Sequence, residues 1–256
     1  MTAAEHWEAG AMRWTAWARA AGHDAYWHYR DAFFALVPPP GQATLEVGCG
    51  EGRVARDLAA RGHRVTAIDI SPTLIRVAAQ AGGAPAYLLA DGAALPFGGA
   101  AFDLAVAYNS LMDVDDMPGV VPEMGRVLAP GGRLCVCITH PPLDAGRSAG
   151  REAGAAFVIE GSYFGRRPYE GTFERGGLSI TFRGWCYPLA DYMQALEAAG
   201  FLVEALHEPE PGSDAPPRSE RGRRIPMFLM LRALKLAGAP GMGASVSESV
   251  KKSPSG

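Results

Sequence analysis

The residues with the clearest chemical potential form a glycine-rich turn. Residues 45–52 are Leu-Glu-Val-Gly-Cys-Gly-Glu-Gly, an apolar strand pattern that ends in alternating glycines. Glycines between a strand and a helix let the backbone bend tightly and approach a ligand closely. A dinucleotide fingerprint requires a third glycine where this chain has Arg53. The turn therefore indicates a cofactor site, but one that is not built around a pyrophosphate.

Two aspartates follow the next two strand patterns, where a cofactor could meet them. Asp69 stands 17 positions after Gly52 and could accept hydrogen bonds from both ribose hydroxyls. Asp91 precedes Gly92 and could accept from an exocyclic adenine amine. Plainer interpretations remain for both: Asp69 as the N-terminal cap of the helix after Ser71, and Asp91 as an ordinary turn residue.

Strand and helix patterns alternate along most of the chain and predict the elements that position these residues. Strands are predicted over 43–47, 64–69, 86–90, 102–107, 133–139, 201–207 and 225–234, and helices over 52–60, from 71 onward, 117–128 and 189–199. The first five strands and their helices predict an α/β fold, a doubly wound and mostly parallel seven-stranded sheet with helices on both faces. Residues 141–184 are rich in glycine, arginine and aromatics and are predicted to be irregular.

Five segments follow from this organisation. The N-terminal helices and the insertion after the fifth strand are expected to form a cap. The segments are an N-terminal helical cap (1–37), a cofactor-binding core (38–140), a substrate-cap insertion (141–186), a completion of the sheet (187–236) and a disordered tail (237–256).

Taken together, these motifs resemble the class I S-adenosylmethionine-dependent methyltransferase family, in its small-molecule branch. The resemblance covers residues 40–140 and, more loosely, 185–235. It rests on Glu46 with the glycine turn, on Asp69-Ile70-Ser71, on Asp91-Gly92-Ala93, on residues 94–97 and 102–106, and on Glu123 through Gly132.

The resemblance implies S-adenosyl-L-methionine as cofactor and S-adenosyl-L-homocysteine as product. The glycine turn would hold the methionine portion, Asp69 the ribose and Asp91 the adenine, with Ile70 covering one adenine face. Tyr29 or Trp27 would close over the methionine tail, with core packing as the alternative role. The implied cofactor-binding residues are Glu46, Gly48, Cys49, Gly50, Gly52, Asp69, Ile70, Ser71, Asp91, Gly92, Ala93, Asn109, Ser110 and Tyr29.

The methyl acceptor is predicted to bind at the strand ends, among aromatic residues. Ligands of doubly wound sheets bind beyond the carboxyl ends of the strands, and His140 directly follows the fifth strand. His140 is therefore the predicted base or acceptor-orienting group, with a structural histidine as the alternative; Tyr108 and Asn109 are rival catalytic residues. Aromatic surface suits a planar, apolar or cationic acceptor, although some of these rings would only fill the cap. The predicted substrate residues are Tyr26, His140, Tyr163, Phe164, Tyr169 and Trp185.

Composition argues against several other partners. The net charge of −3 and the pI of about 6.1 disfavour nucleic acid. The basic cluster from Arg218 to Arg224 is expected to be a solvated loop, or alternatively an anion contact. No apolar run approaches the ~20 residues of a membrane helix. Asp113, Asp115 and Asp116 cluster without the spacing of a metal site, so no metal is expected.

We therefore predict a methyltransferase that acts on a small acceptor, aromatic or natural-product-like, in secondary metabolism. Four cysteines without a C-x-x-C pair and an N-terminus without an apolar core predict a cytoplasmic protein, as a monomer or homodimer. Two alternatives stay open: a cofactor-binding homologue with other chemistry, and a nicotinamide-dependent oxidoreductase.

Overall fold

The computed structural model describes residues 1–20, 22–83, 86–150, 152, 154–212 and 223–238. Two sequence predictions fall outside these ranges: the tail from residue 239 onward, and residues 218–222 of the basic cluster. Across the residues that are described, we find no helix with the length and apolar character that a membrane crossing requires.

Eleven strands and seven helices make up the described fold. The helices are α1 Ala3–Arg19, α2 Tyr26–Phe34, α3 Arg53–Ala60, α4 Pro72–Ala81, α5 Met117–Val127, α6 Pro141–Asp144 and α7 Leu189–Ala198. The strands are β1 Thr44–Val47, β2 Val65–Asp69, β3 Ala86–Leu89, β4 Phe102–Tyr108, β5 Leu128–Thr139, β6 Gly146–Ser148, β7 Phe157–Ile159, β8 Arg167–Arg175, β9 Leu178–Cys186, β10 Phe201–His207 and β11 Phe228–Lys235.

Seven of these strands form the central sheet, in the order β10-β11-β5-β4-β1-β2-β3. Strands β1 to β5 pair in parallel, whereas β11 is antiparallel to both β5 and β10. The predicted doubly wound, mostly parallel sheet of seven strands is therefore confirmed. The chain order reverses between β1 and β4, and a ligand crevice opens at such a switch point.

Alternate residues of β4 enter two separate cores, because a parallel sheet buries both of its faces. Ala105 and Ala107 belong to a core that includes residues of α5 and α7. Leu104 and Val106 point the other way, into a core that includes residues of α2 and α3. The strand ends are thereby held rigidly between two helical layers.

Helix α1 spans from the sheet to the insertion. It begins at a capping box, in which the Thr2 hydroxyl accepts from Glu5 N and the Glu5 carboxylate accepts from Thr2 N. The Glu8 carboxylate accepts from the Ser71 and Thr73 hydroxyls at the start of α4, at 2.5 and 2.6 Å. On the other side, α1 packs against β9. This helix therefore closes over the carboxyl edge of the sheet.

The insertion is more regular than its composition predicts. Besides α6, it contains the hairpins β6–β7 and β8–β9, so the prediction of an irregular stretch was wrong for most of this segment. In the longer hairpin, Gly171 faces Phe182 and Gly184 faces Tyr169. A Cβ at Gly171 would stand 2.5 Å from the Tyr169 hydroxyl, and one at Gly184 would stand even closer to Met112 O, so these glycines permit close packing within the hairpin and against the loop after β4.

Candidate active site

A cavity of about 910 Å³ lies at the carboxyl ends of β1, β2, β4 and β5. Small-molecule sites commonly enclose about 300–1,000 Å³, so this one has room for more than a single small ligand. Its cofactor half is formed by the glycine turn and by the residues that follow β2, β3 and β4. Its acceptor half is formed by α6, by the hairpins of the insertion and by the loop before α5.

Gly48 shows why the turn needs glycine. Its φ is +75°, and a Cβ at this position would stand 2.5 Å from the Ser110 Cβ. The Ser110 hydroxyl donates to Val47 O at 2.7 Å, which fixes the loop after β4 against the turn. Gly52 differs, since a Cβ there would meet Ala78 of α4 at 2.9 Å. Gly48 lines the cavity, whereas Gly52 serves helix packing and does not.

Asp69 ties the glycine turn to the end of β2. Its Oδ2 accepts from Gly50 N at 2.8 Å, and its Oδ1 accepts from Ser71 N at 2.9 Å. Burial raises the pKa of this carboxyl, and the backbone N–H donors partly oppose the rise. Each carboxylate oxygen has a second acceptor site, so Asp69 can still receive hydroxyls from the cavity. The helix cap is Ser71, whose hydroxyl accepts from Leu74 N.

Glu46 and Arg53 bring opposite charges to the bottom of the cofactor half. Glu46 is 1% exposed, and its Oε2 has no hydrogen-bond partner in the described part of the chain. Burial, and then the charge of Asp69, raise the pKa of Glu46 well above its usual range. Arg53 Nη1 lies 2.9 Å from Asp24 Oδ1. A buried carboxyl without a donor is costly unless a ligand supplies one, so this region suits a zwitterion.

The tryptophans of α1 cover the glycine turn. Trp7, Trp14 and Trp17 all line the cavity. The indole nitrogen of Trp14 lies against Gly50, 2.9 Å from the place of a Cβ there. The same indole meets Phe182 of β9 edge-on, with ring centroids 5.8 Å apart. Helix α1 and the long hairpin thus share one lid.

The aromatic residues that the sequence assigned to this covering role lie elsewhere. Tyr29 packs edge-on against Phe228, with centroids 5.0 Å apart, and is not among the cavity residues. Trp27 is 39% exposed and carries the Arg30 guanidinium over its ring. On α2, the buried face is set by packing on the sheet, so Tyr29 is a core residue.

Most other predicted cofactor residues do lie on the cavity wall. Asp91 lines it while one of its oxygens accepts from Ala93 N at 2.9 Å, so the turn role and a ligand role are compatible. Asn109 has a φ of +50°, where the backbone leaves β4. Ser71 is fully buried beneath Glu8 and does not reach the cavity. The remaining predicted residues on the wall are Cys49, Ile70, Gly92 and Ala93.

The predicted substrate residues divide into two groups. Tyr169 and Trp185, both on the long hairpin, line the acceptor half. Tyr26 is buried in the core and donates to Asp57 Oδ2. Tyr163 is engaged through its hydroxyl, which accepts from Leu189 N at the start of α7, and Phe164 is 79% exposed. These last three are not among the cavity residues.

His140 lies beside the cavity rather than on its wall. Its Nε2 is 2.7 Å from Glu208 Oε1, and its backbone N–H donates to Met227 O. It is the N-cap residue of α6, while its neighbours Thr139 and Leu143 line the cavity. The backbone of His140 begins α6, whereas its ring makes no capping hydrogen bond, contacts Glu208 and is not among the cavity residues. Of its rivals, Tyr108 and Asn109 both line the cavity, and the Tyr108 hydroxyl is buried without a partner among the described residues.

Two aspartates that the sequence did not select occupy the acceptor half. Asp113 follows β4, and Asp144 is the last residue of α6; both line the cavity. Burial raises the pKa of Asp144 to about 7, with Arg167 opposing the rise. Burial, and then the charge of Asp144, raise the pKa of Asp113 well above its usual range. Within the described ranges no His, Cys, Asp or Glu cluster is arranged to hold a metal ion.

Arg53, Trp14 and these aspartates are the residues that sequence reasoning missed. Arg53 carried a signal, because the first residue of a helix after a cofactor turn lies next to the ligand. In the sequence, however, Arg53 stands out only because it occupies the third-glycine position of a dinucleotide fingerprint. Trp14 gave a weaker signal, as one of several aromatic residues in a helical run. Nothing local distinguished Asp144 from other loop acids.

Comparison with known proteins agrees with this geometry. A family model described as "Methyltransferase domain" matches residues 45–136. A malonyl-[acyl-carrier protein] O-methyltransferase of Erwinia pyrifoliae is 31% identical over 177 residues, which is 66% of each chain. A demethylmenaquinone methyltransferase of Tropheryma whipplei is 37% identical over 122 residues, 46% of this chain and 50% of that protein. A Mesorhizobium loti S-adenosylmethionine-dependent methyltransferase structure superposes with a TM-score of 0.65 and 26% identity, covering 82% of this chain and 98% of that one.

The matched region identifies the protein family but not the methyl acceptor. The chain spans between about a third and two thirds of the length of the curated relatives it matches. The family match covers β1 to β5, which form most of the cofactor half. The family model and the shared fold identify residues 45–136 as a methyltransferase domain of the class I S-adenosylmethionine-dependent family.

Proposed function

We propose that this protein transfers a methyl group from S-adenosyl-L-methionine to a small-molecule acceptor. The observation that carries the proposal is the single cavity, which joins a cofactor cradle at the strand ends to an aromatic wall of the insertion. When bound, the cofactor supplies an electrophilic methyl group on a sulfonium. The protein's task is then to orient the acceptor in line and to exclude water.

The residues of the cofactor half fit this molecule. Glu46 would take the α-ammonium and Arg53 the carboxylate of the methionine portion, because they are the buried opposite charges beside the turn. Asp69 would accept from the ribose hydroxyls. Asp91 would meet the adenine amine and Ile70 its ring face. The support lies in the unpartnered Glu46 Oε2 and in the close approach that Gly48 permits.

For the acceptor half, we propose Tyr169, Trp185, Tyr108 and Asn109 as the contacts, all of which line the cavity. His140 is better suited to a positioning role, since its Nε2 is engaged by Glu208 and it begins α6. The curated relatives include a malonyl-[acyl-carrier protein] O-methyltransferase and a demethylmenaquinone methyltransferase, which differ widely in acceptor. Neither the non-methylating alternative nor the nicotinamide alternative is favoured by these relatives.

The cofactor half is tested by thermal unfolding with S-adenosyl-L-homocysteine. At about 100 times its Kd, a ligand that binds only the native state adds about 2.7 kcal/mol, or a Tm shift of roughly 5–10 °C. Asp69→Asn replaces one accepting oxygen by an amide and should lower the affinity by about tenfold or more. Asp31→Asn, at a carboxylate that is 88% exposed, should leave the affinity unchanged. No shift in the unmodified protein at millimolar ligand would refute the proposal.

A further inference from the structure

The acceptor half contains two carboxyl groups that have no donor. Asp113 and Asp144 both line the cavity, and no hydrogen bond or ion pair reaches either carboxyl from the residues described. Asp113 is held by its backbone surroundings, since Met112 O accepts from Trp185 N at 2.8 Å. Arg167 Nη2 donates to the backbone carbonyl of Asp144, at 3.3 Å, and not to its carboxyl group. Both acids are therefore held in place with their oxygens available to a ligand.

Apart from Glu46 in the cofactor half, the other acidic and arginine side chains of the cavity wall described by the structure are already engaged. Asp69 and Asp91 accept from backbone N–H groups, as described above. Asp115 accepts from Ala3 N, and Asp116 is the N-cap of α5. The three cavity arginines are also paired: Arg53 with Asp24, Arg147 with Glu160, and Arg175 with the backbone carbonyls of residues 22 and 23. Arg167, which is not part of the cavity wall, lowers the pKa of Asp144 by its charge but donates only to the Asp144 backbone carbonyl. No described cation on the cavity wall forms an ion pair with Asp113 or Asp144.

Two neighbouring carboxyls in a partly dehydrated cavity select the charge of what binds between them. Burial penalises the ionised form of each and raises both pKa values; the charge of Asp144 raises the pKa of Asp113 further, while Arg167 opposes the rise for Asp144. A cation removes both penalties, a hydroxyl relieves only the missing hydrogen bond, and a carboxylate would add a third negative charge. The pair therefore favours a cationic ligand over an acidic one.

The aromatic walls of the cavity beside Asp113 and Asp144 also favour a cationic ligand. Tyr169 and Trp185 line the cavity beside the pair: burial raises the pKa of Tyr169 and the charges of Asp144 and Asp113 add to the rise, while the Trp185 backbone N–H donates to Met112 O. Phe173 and Phe182 continue the aromatic wall of the same hairpin. Aromatic faces attract cations, and Trp185 already carries one, since the Arg166 guanidinium lies 3.5 Å from its ring centroid. Independently, Tyr108 is 6% exposed and lines the cavity, and apart from an electrostatic interaction with the buried Cys137 thiol no described residue hydrogen-bonds its hydroxyl. That orphaned hydroxyl also indicates a polar ligand group.

We propose that the methyl acceptor is an amine with an aromatic or apolar body, held as its ammonium form by Asp113 and Asp144. This inference rests on the proposed function. For transfer, one N–H proton moves to the Asp144 carboxylate, which leaves the neutral amine. The nitrogen lone pair then forms the new N–C bond while the methyl carbon's bond to sulfur breaks and its electron pair stays on sulfur. Charge balances, because the sulfonium becomes a neutral thioether and the amine becomes a methylammonium.

The test compares acceptors that differ only in the polar group. Aromatic amines, and the alcohols and carboxylic acids of the same carbon skeleton, are titrated by calorimetry into protein saturated with S-adenosyl-L-homocysteine; 3-phenylpropylamine, its alcohol and its acid form the first set. We expect amines to bind at least about tenfold more tightly than their partners. Asp113→Asn and Asp144→Asn should each weaken amine binding by about tenfold or more and strengthen acid binding. Asp31→Asn is the matched control, with no expected change.

Three results would overturn the inference: acids or alcohols binding as tightly as amines, amine binding that both Asn variants retain, or no amine binding up to about 10 mM across the panel. Affinity for S-adenosyl-L-homocysteine is measured in every sample. If that ligand binds and the amine preference is absent, only the acceptor inference fails. If it does not bind to the unmodified protein, the proposed function itself fails.

Discussion

The two halves of the cavity are built on different principles. The cofactor half uses backbone groups and short polar side chains at the ends of neighbouring parallel strands, such as Gly48, Asp69 and Asp91. The acceptor half uses side chains from a loop, a four-residue helix and a hairpin, such as Asp113, Asp144 and Trp185. The first half is dictated by the sheet, and the match to the methyltransferase family model, over residues 45–136, includes its strand ends, together with Asp113 of the second half. The second depends on how the insertion packs, so it can change its ligand without changing the fold.

Gly48→Ala should give the largest effect and falls in the cofactor half. The new Cβ combines a strained φ of +75° with a 2.5 Å approach to Ser110, so we expect a loss of about 3 kcal/mol in the free energy of unfolding. Binding of S-adenosyl-L-homocysteine should be lost as well. Gly82→Ala has a similar φ of +71° but open space around its Cβ, and should cost about 1 kcal/mol. Equal losses in urea denaturation of the two variants would show that Gly48 has no special role.

Asp144→Asn should give an intermediate effect that depends on pH and lies in the acceptor half. Because the folded pKa is raised from 3.8 to about 7, the unmodified protein keeps its full stability at low pH and loses part of it as the pH rises through that window. Asparagine does not titrate. Between about pH 4 and 7 the free energy of unfolding of the variant should therefore rise relative to that of the unmodified protein, by roughly 2 kcal/mol. Chemical denaturation at several pH values measures this difference.

Several titratable groups around Asp144 also affect its pKa, so the experiment needs a control variant at an exposed aspartate. Asp113, Tyr169 and Cys186 add negative charge when ionised, and Arg167 adds positive charge. Asp31→Asn, at an exposed carboxylate, should follow the unmodified protein at every pH. A stability difference for Asp144→Asn that stays constant with pH would mean that this carboxyl titrates at its ordinary value.

Tyr163→Phe should give the smallest effect and tests where the acceptor half ends. The substitution removes the hydroxyl that accepts from Leu189 N at the start of α7, which should cost about 1 kcal/mol of stability. Acceptor binding should not change, because this residue does not line the cavity. A loss of acceptor affinity at unchanged stability would show that Tyr163 contacts the acceptor after all.

The same division explains what could be predicted from the sequence. Asp69 and Asp91 were identifiable because the carboxyl ends of parallel strands must meet at one edge, whatever packs above them. His140 was chosen by the same logic, but one residue beyond β5 the chain turns into α6, and His140 contacts Glu208 while Asp144 reaches the cavity. Sequence distance cannot tell which residue of a short helical turn faces a ligand.

The aromatic lid shows a second limit of local patterns. Residues 1–36 contain tryptophans and tyrosines on two helices, all of similar apolar character. Trp14 covers the glycine turn and Tyr29 does not, because Glu8 fastens α1 to the start of α4 while α2 packs on the sheet. This choice is made by contacts between residues more than 60 positions apart.

By itself the sequence determined the central sheet and the glycine turn, and it placed two acids at the strand ends as predicted cofactor contacts, because periodicity and turn chemistry act between neighbouring residues and parallel strands bring their ends together. Only the tertiary structure decided the acceptor half. There, Asp113 and Asp144 acquire their chemistry from burial beside each other and beside the aromatic rings of the insertion. Desolvation and charge proximity are properties of the folded surroundings, and residues so distant along the chain share them only after folding.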